Sequence, residues 1–177
     1  MRNIFILILL GVALLTGALV TRSGILARKD PGRPINKAMR EALNAQSPQF
    51  STDEAMLLAK TYGSAHKRPS GLQYVFRSAG SGDATPRAGD EITCHYDGRL
   101  LDGTPFDSSY RRGEPFTFRV GVGGVIRGWD EAFLTMKKGE KRTLIIPYWL
   151  AYGEKGLPPT IPPKATLIFE VELLDWH

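Results

Sequence analysis

One cysteine, Cys94, and three scattered histidines, His66, His95 and His177, are the only thiol and imidazole groups in this chain of 177 residues. A single thiol excludes an internal disulfide, and histidines without ligand spacing match no familiar zinc pattern, so no metal is expected. The second half also lacks a Gly-rich phosphate loop, a nucleophile with a base beside it, and paired acids. A basic excess is missing there too. Residues 1–70 hold ten Lys or Arg against four Asp or Glu, whereas residues 71–177 hold thirteen against fourteen, so the net charge of +5 sits near the N-terminus. A nucleic-acid surface needs a basic face on the domain itself, and none is expected.

What is present begins with an apolar run, Ile4 to Val20, broken only by Gly11, Thr16 and Gly17 and flanked by Arg2 and Arg22. As a helix it would span roughly 25 Å, long enough for a secretory signal and barely enough for a membrane anchor. Thr16-Gly17-Ala18 only partly matches a cleavage site, and charge does not settle the orientation, because Arg22, Arg28, Lys29 and Arg33 outweigh Arg2 and the terminal amine. Residues 1–22 are therefore read as a signal anchor or a cleaved signal, and either one exports the remainder. Residues 23–69 read as a linker with short helices. Pro31, Gly32 and Pro34 break the chain, and helical patterns follow over 35–45 and, behind a Ser51/Glu54 capping box, from Ala55 to Gly63. This segment is expected to be a spacer from the membrane or, alternatively, a dimerisation arm.

From Ser70 onward the periodicity is that of strands. Leu72, Tyr74 and Phe76 alternate with polar neighbours, as do Ile92, Cys94 and Tyr96, after which Asp97-Gly98 and Asp102-Gly103 read as turns. Phe116, Phe118 and Val120 form one face, and Leu144 and Ile146 part of another. The last strand places Leu167, Phe169, Val171 and Leu173 on one face and Ile168, Glu170 and Glu172 on the other. One wet face predicts an antiparallel sheet covered on one side. One stretch alone reads as helix. Trp129, Phe133 and Met136 share a face, Asp130 and Glu131 occupy the first turn, Lys137 and Lys138 the last, and Gly139 is the expected stop.

Aromatic and apolar residues in or near loops are the remaining signal, each unremarkable alone as core. Together they form ordered motifs: His95-Tyr96-x-Gly98, Gly103-Thr104-x-Phe106-Asp107-Ser108-Ser109, Pro115-Phe116-x-Phe118, Val125-Ile126-x-Gly128-Trp129, Ala151-Tyr152-Gly153 and Ile161-Pro162-Pro163-x-Ala165-Thr166-Leu167. In order and approximate spacing this set resembles the FKBP-type peptidyl-prolyl isomerases over about Ser70 to Trp176. The chain departs from the family pattern at Tyr148-Trp149 and in the proline-rich loop Leu157 to Thr160, both at the expected pocket rim.

The resemblance implies an α+β fold over residues 70–177, a curved antiparallel half-barrel of five or six strands wrapped around one short helix. It implies rotation of X–Pro bonds as the activity, without cofactor. Proline-containing unfolded or flexible chains would be substrates, and macrolides inhibitors. A proline-binding module or holdase without turnover is the alternative. Trp129 would be the pocket floor; Tyr96, Phe106, Phe116, Val125, Ile126 and Phe169 its walls; and Ile161 its rim. The Ile126 N–H and the Tyr152 hydroxyl would hold carbonyls of the bound chain, with Asp107 an acceptor steadied by Tyr96 and Arg112.

Overall fold

The structure, a computed structural model, describes residues 49–177. The apolar run Ile4 to Val20 and the first linker helix lie outside the described residues. Among the described residues no helix is long and apolar enough to cross a membrane. The elements in chain order are α1 (Thr52–Tyr62), β1 (His66–Lys67), β2 (Gln73–Ser78), β3 (Glu91–Leu100), β4 (Pro105–Ser108), α2 (Ser109–Arg112), β5 (Phe116–Arg119), α3 (Arg127–Phe133), β6 (Lys141–Ile146) and β7 (Leu167–Trp176).

All strand pairs are antiparallel, in the order β1-β2-β6-β7-β3-β4, with β5 also pairing β3. The sheet thus has seven strands, the two-residue β1 included, where five or six were expected. β3 runs unbroken through Asp97-Gly98, which the sequence suggested as a turn. Gly98 has a different reason to be glycine. A Cβ there would lie 2.7 Å from the Phe169 ring and 2.9 Å from that of Phe106.

The concave face buries Ile92, Cys94, Tyr96, Leu144, Ile146 and the predicted face of β7. Helix α3 covers it with Trp129, Ala132 and Phe133, followed by Met136, all at most 4% exposed. Gly128 lets the helix approach closely, since a Cβ there would stand 2.5 Å from Ile146 Cγ2. The helix is shorter than expected, ending at Phe133 rather than near Gly139. Beyond it the chain tightens into i→i−3 turns, Thr135 N donating to the Ala132 carbonyl and Met136 N to that of Phe133, and the buried Arg142 braces this turn. That guanidinium donates to the Thr135 carbonyl at 2.7 Å and its hydroxyl at 2.8 Å, and pairs with Glu140 at 2.5 Å. Lys137 and Lys138 lie beyond the helix and pair with Asp83 and Asp175.

The convex face differs from the expected wet face in one region. Ile145 and Ile168 are buried there beneath Leu58 of α1, with Phe50, Tyr62 and Val75 packed around them. The capping box forms as predicted, Ser51 Oγ accepting from Glu54 N and Glu54 Oε2 from Ser51 N. This helix, however, is no free spacer. It is part of the compact unit Pro48–His177. The rest of that face is polar, with Thr143 and Glu170 at its centre and Arg77 and Arg99 reaching them from either side.

Candidate active site

Between α3 and the concave sheet lies a cavity of about 280 Å³ lined by Tyr96, Phe106, Asp107, Phe116, Gly124, Val125, Ile126, Trp129, Tyr152 and Phe169. Its centre is the indole of Trp129, 4% exposed, which the start of α3 aims at the sheet. Tyr96 and Phe169 meet that ring edge-on, with centroids 4.9 and 5.2 Å away, and Phe116 stands at 6.0 Å. Phe106 packs edge-on against Phe169 at 5.4 Å. Such T-shaped contacts hold the rings by their quadrupoles and leave ring surface facing the cavity.

One polar cluster interrupts this apolar wall. Tyr96 Oη donates to Asp107 Oδ2, Arg112 Nη1 donates to Asp107 Oδ1, and Arg112 Nη2 donates to Tyr96 Oη at 2.8 Å. The Ser108 N–H donates to Asp107 Oδ1 at 2.8 Å. Burial, reinforced by the bond to Asp107, pushes the Tyr96 phenol up to about 12, so it stays a proton donor at physiological pH. Burial, and then the charge of Asp107, raises Tyr152, which is 38% exposed at the mouth. Cys94 is buried and pushed up to about 12 by that burial, so its thiol is no nucleophile.

Every predicted site residue except Arg112 and Ile161 lines the cavity. Arg112 stands behind the lining, where it pairs with Asp107 and Tyr96. Ile161 is not among the lining residues. It is 3% exposed, and its N–H and carbonyl are bonded to Leu157. Tyr148-Trp149 is also only partly a rim feature, because Trp149 donates to the Ser70 carbonyl at 2.9 Å and packs on Phe50. Sequence reasoning missed Asp130 as a site element. Its carboxylate accepts from the N–H groups of Gly121 at 2.7 Å and Gly123 at 2.9 Å, holding the loop that leads into Val125 and Ile126. Among the described residues no group of three His, Cys, Asp or Glu side chains converges as a metal site would.

Comparison with known proteins decides what this arrangement is. The sequence model for the FKBP-type peptidyl-prolyl cis-trans isomerase matches residues 82–174. The chain belongs to the FKBP-type family. Mouse (Mus musculus) peptidyl-prolyl cis-trans isomerase FKBP2 is 58% identical over 88 residues, which is 50% of this chain and 63% of that protein. The Arabidopsis thaliana isomerase FKBP15-2 is 46% identical over 125 residues, 71% of this chain and 75% of its own. FK506-binding protein 4 of Dictyostelium discoideum is 55% identical over 107 residues, 60% of this chain but only 29% of that longer protein. The crystal structure of AtFKBP13 superposes with a TM-score of 0.61 at 42% identity, covering 64% of this chain and 98% of that one. The matched region of this FKBP-type chain is a peptidyl-prolyl cis-trans isomerase domain.

Proposed function

We propose that the whole chain is an exported folding catalyst, held at a membrane by residues 1–22, that accelerates X–Pro rotation in flexible or unfolded clients. The observation that carries the catalytic part is the aromatic cavity floored by Trp129 with one acid, Asp107, at its wall. Rotation about an X–Pro bond faces a barrier of roughly 18–20 kcal/mol, because twisting removes amide resonance. The twisted amide has a less polar carbonyl than the planar one. A dry, apolar cavity therefore disfavours the planar, solvated state more than the twisted one, which lowers the barrier without a covalent step.

In this reading the proline ring lies on Trp129 between Tyr96, Phe116 and Phe169. The Ile126 N–H and Tyr152 hydroxyl donate to carbonyls of the bound chain. Asp107 faces the bound amide, its orientation set by Tyr96 and Arg112. Macrolides of the kind named in the FK506-binding relative would compete for the same cavity. Export rests on the apolar run Ile4 to Val20. Pairing of two chains through the N-terminal arm is a further element of the proposal.

Adding the full chain at substoichiometric amounts to a proline-limited refolding reaction tests the activity. The slow phase should shorten, and an unchanged slow phase would leave only a binding module or holdase. Trp129→Ala should lower turnover more than Tyr152→Phe, because it removes the floor as well as a contact. Equal or reversed effects refute the pocket assignment. N-terminal sequencing of the mature protein separates anchor from cleaved signal.

A further inference from the structure

Ser109 is fully buried, and its hydroxyl is the meeting point of three groups. The Tyr96 N–H donates to Ser109 Oγ at 2.8 Å, and Oγ in turn lies 3.2 Å from the Tyr96 carbonyl oxygen and 2.9 Å from His95 Nδ1. The position of Tyr96 in the sheet explains why. On one edge of β3, Cys94 pairs with Phe116 of β5, and Gly98 pairs with Asp107 of β4. Tyr96 falls between them, where α2 turns the chain and no strand lies alongside. A serine hydroxyl accepts two hydrogen bonds and donates one, so it can satisfy both backbone groups that a strand would otherwise pair.

The proton count then fixes the imidazole. The single hydroxyl proton goes to the buried Tyr96 carbonyl, which would otherwise lose its partner. His95 must therefore donate to Ser109 through an Nδ1–H. Protonation at Nε2 leaves that bond intact, so the arrangement holds whether the ring is neutral or charged. The groups facing the ring are Tyr110, stacked at 4.4 Å, and Glu172, opposite His95 on β7, which also takes the Tyr110 hydroxyl and Lys141.

Ser109 also follows Asp107 by two residues and opens α2, the turn that ends in Arg112. One hydroxyl thus ties the segment carrying Asp107 and Arg112 to the strand carrying Tyr96. We infer that Ser109 is a positioning residue for the isomerase site, holding Tyr96 in register with Asp107 and Arg112, with His95 locked behind it as the Nδ1–H tautomer. This rests on the reading of Tyr96 and Asp107 as working parts of the site.

Nitrogen-15 NMR of the histidine rings, together with kcat/KM on an X–Pro peptide, tests it in the full chain. The wild type should show His95 protonated at Nδ1. Ser109→Ala should lose that tautomer and lower kcat/KM by about tenfold to a hundredfold through misplacement of Tyr96. Ser109→Thr, which keeps the hydroxyl, should recover both readouts, whereas a residue needed only for stability would leave the rate below its melting temperature unmoved. An Nε2–H tautomer in the wild type, or a Ser109→Ala protein with unchanged ring spectrum and rate, overturns the inference. If Ser109→Ala does not fold, kcat/KM of Ser109→Cys, whose thiol is a weaker donor and acceptor, decides, and an unchanged rate overturns the inference. Tyr96→Phe with full activity would refute the site reading instead, and the ring spectrum would still report on the hydroxyl.

Discussion

Asp130 offers a sharp test of how the cavity is held open, because it touches no part of the cavity itself. It stands one residue beyond Trp129, and its two carboxylate oxygens accept from the Gly121 and Gly123 N–H groups at 2.7 and 2.9 Å. Both glycines have positive φ, +73° and +77°, so the loop is a conformation that few residues adopt unaided. Hydrogen bonds to a charged acceptor contribute roughly 1.5–3 kcal/mol each when buried. These are open to water, which replaces part of what is lost, so Asp130→Ala should cost about 1–2 kcal/mol in all. If that energy holds the loop in its binding-competent form, the apparent affinity falls by the fraction of chains that remain competent. At about 1.4 kcal/mol per tenfold, KM should rise by about tenfold while kcat changes less. Asp130→Asn, which keeps one acceptor oxygen, should fall between. The assay is steady-state isomerisation of an X–Pro peptide alongside thermal unfolding. A fall in Tm with KM unchanged would refute the reasoning, since the loop would then be stabilising the fold without placing Val125 and Ile126.

Other consequences follow from the same geometry. Gly98→Ala forces a Cβ to within 2.7 Å of Phe169 and 2.9 Å of Phe106. The rings must move toward the cavity, so kcat/KM should drop at least about tenfold with a stability loss of about 1–3 kcal/mol, and normal kinetics would show that the wall is not tightly packed. Leu58→Ala should destabilise by about 2–5 kcal/mol and abolish hydrogen-exchange protection in Thr52–Tyr62, yet leave activity intact in the cold, because Leu58 packs on the opposite face of the sheet. Protection unchanged by that substitution would mean α1 is held by other contacts. Lys141 chiefly, and then the Tyr110 hydroxyl, hold the Glu172 carboxyl below its ordinary 4.5. A lowered folded pKa stabilises above the unfolded value and is lost as pH falls through the folded one. The Tm gap between wild type and Glu172→Gln should thus be present near neutrality and close below pH 4.5; a gap that persists in acid contradicts the assignment.

The helix around Trp129 shows how far local pattern reaches. Trp129, Phe133 and Met136 are all buried as their spacing predicts, but the helix stops at Phe133 and the turn beyond it is braced by Arg142, which donates to the Thr135 carbonyl. Arg142 is seven residues further on, in a strand, and nothing in helical periodicity registers it. Ile168 is similar. Its alternation placed it on the wet face, and only the packing of Leu58, more than a hundred residues earlier, buries it. Ile161 is buried and its backbone pairs with Leu157, a contact that its motif does not register.

What the sequence alone determined is the alternation of the strands, the capping box of α1, the buried face of α3 and the residue set of the cavity. Each is either a short-range pattern, set by the two-residue and 3.6-residue repeats of the backbone, or a motif whose members keep fixed order along the chain. Tertiary structure alone decided that Asp130 holds a glycine loop, that the Ser109 hydroxyl replaces a strand beside Tyr96, that Gly98 is a place for rings rather than a turn, and that α1 covers the far face of the sheet. The physical reason is common to all four. A hydrogen bond or a ring contact depends on the distance between atoms, and residues remote in sequence acquire that distance only once the sheet has curved around its helix.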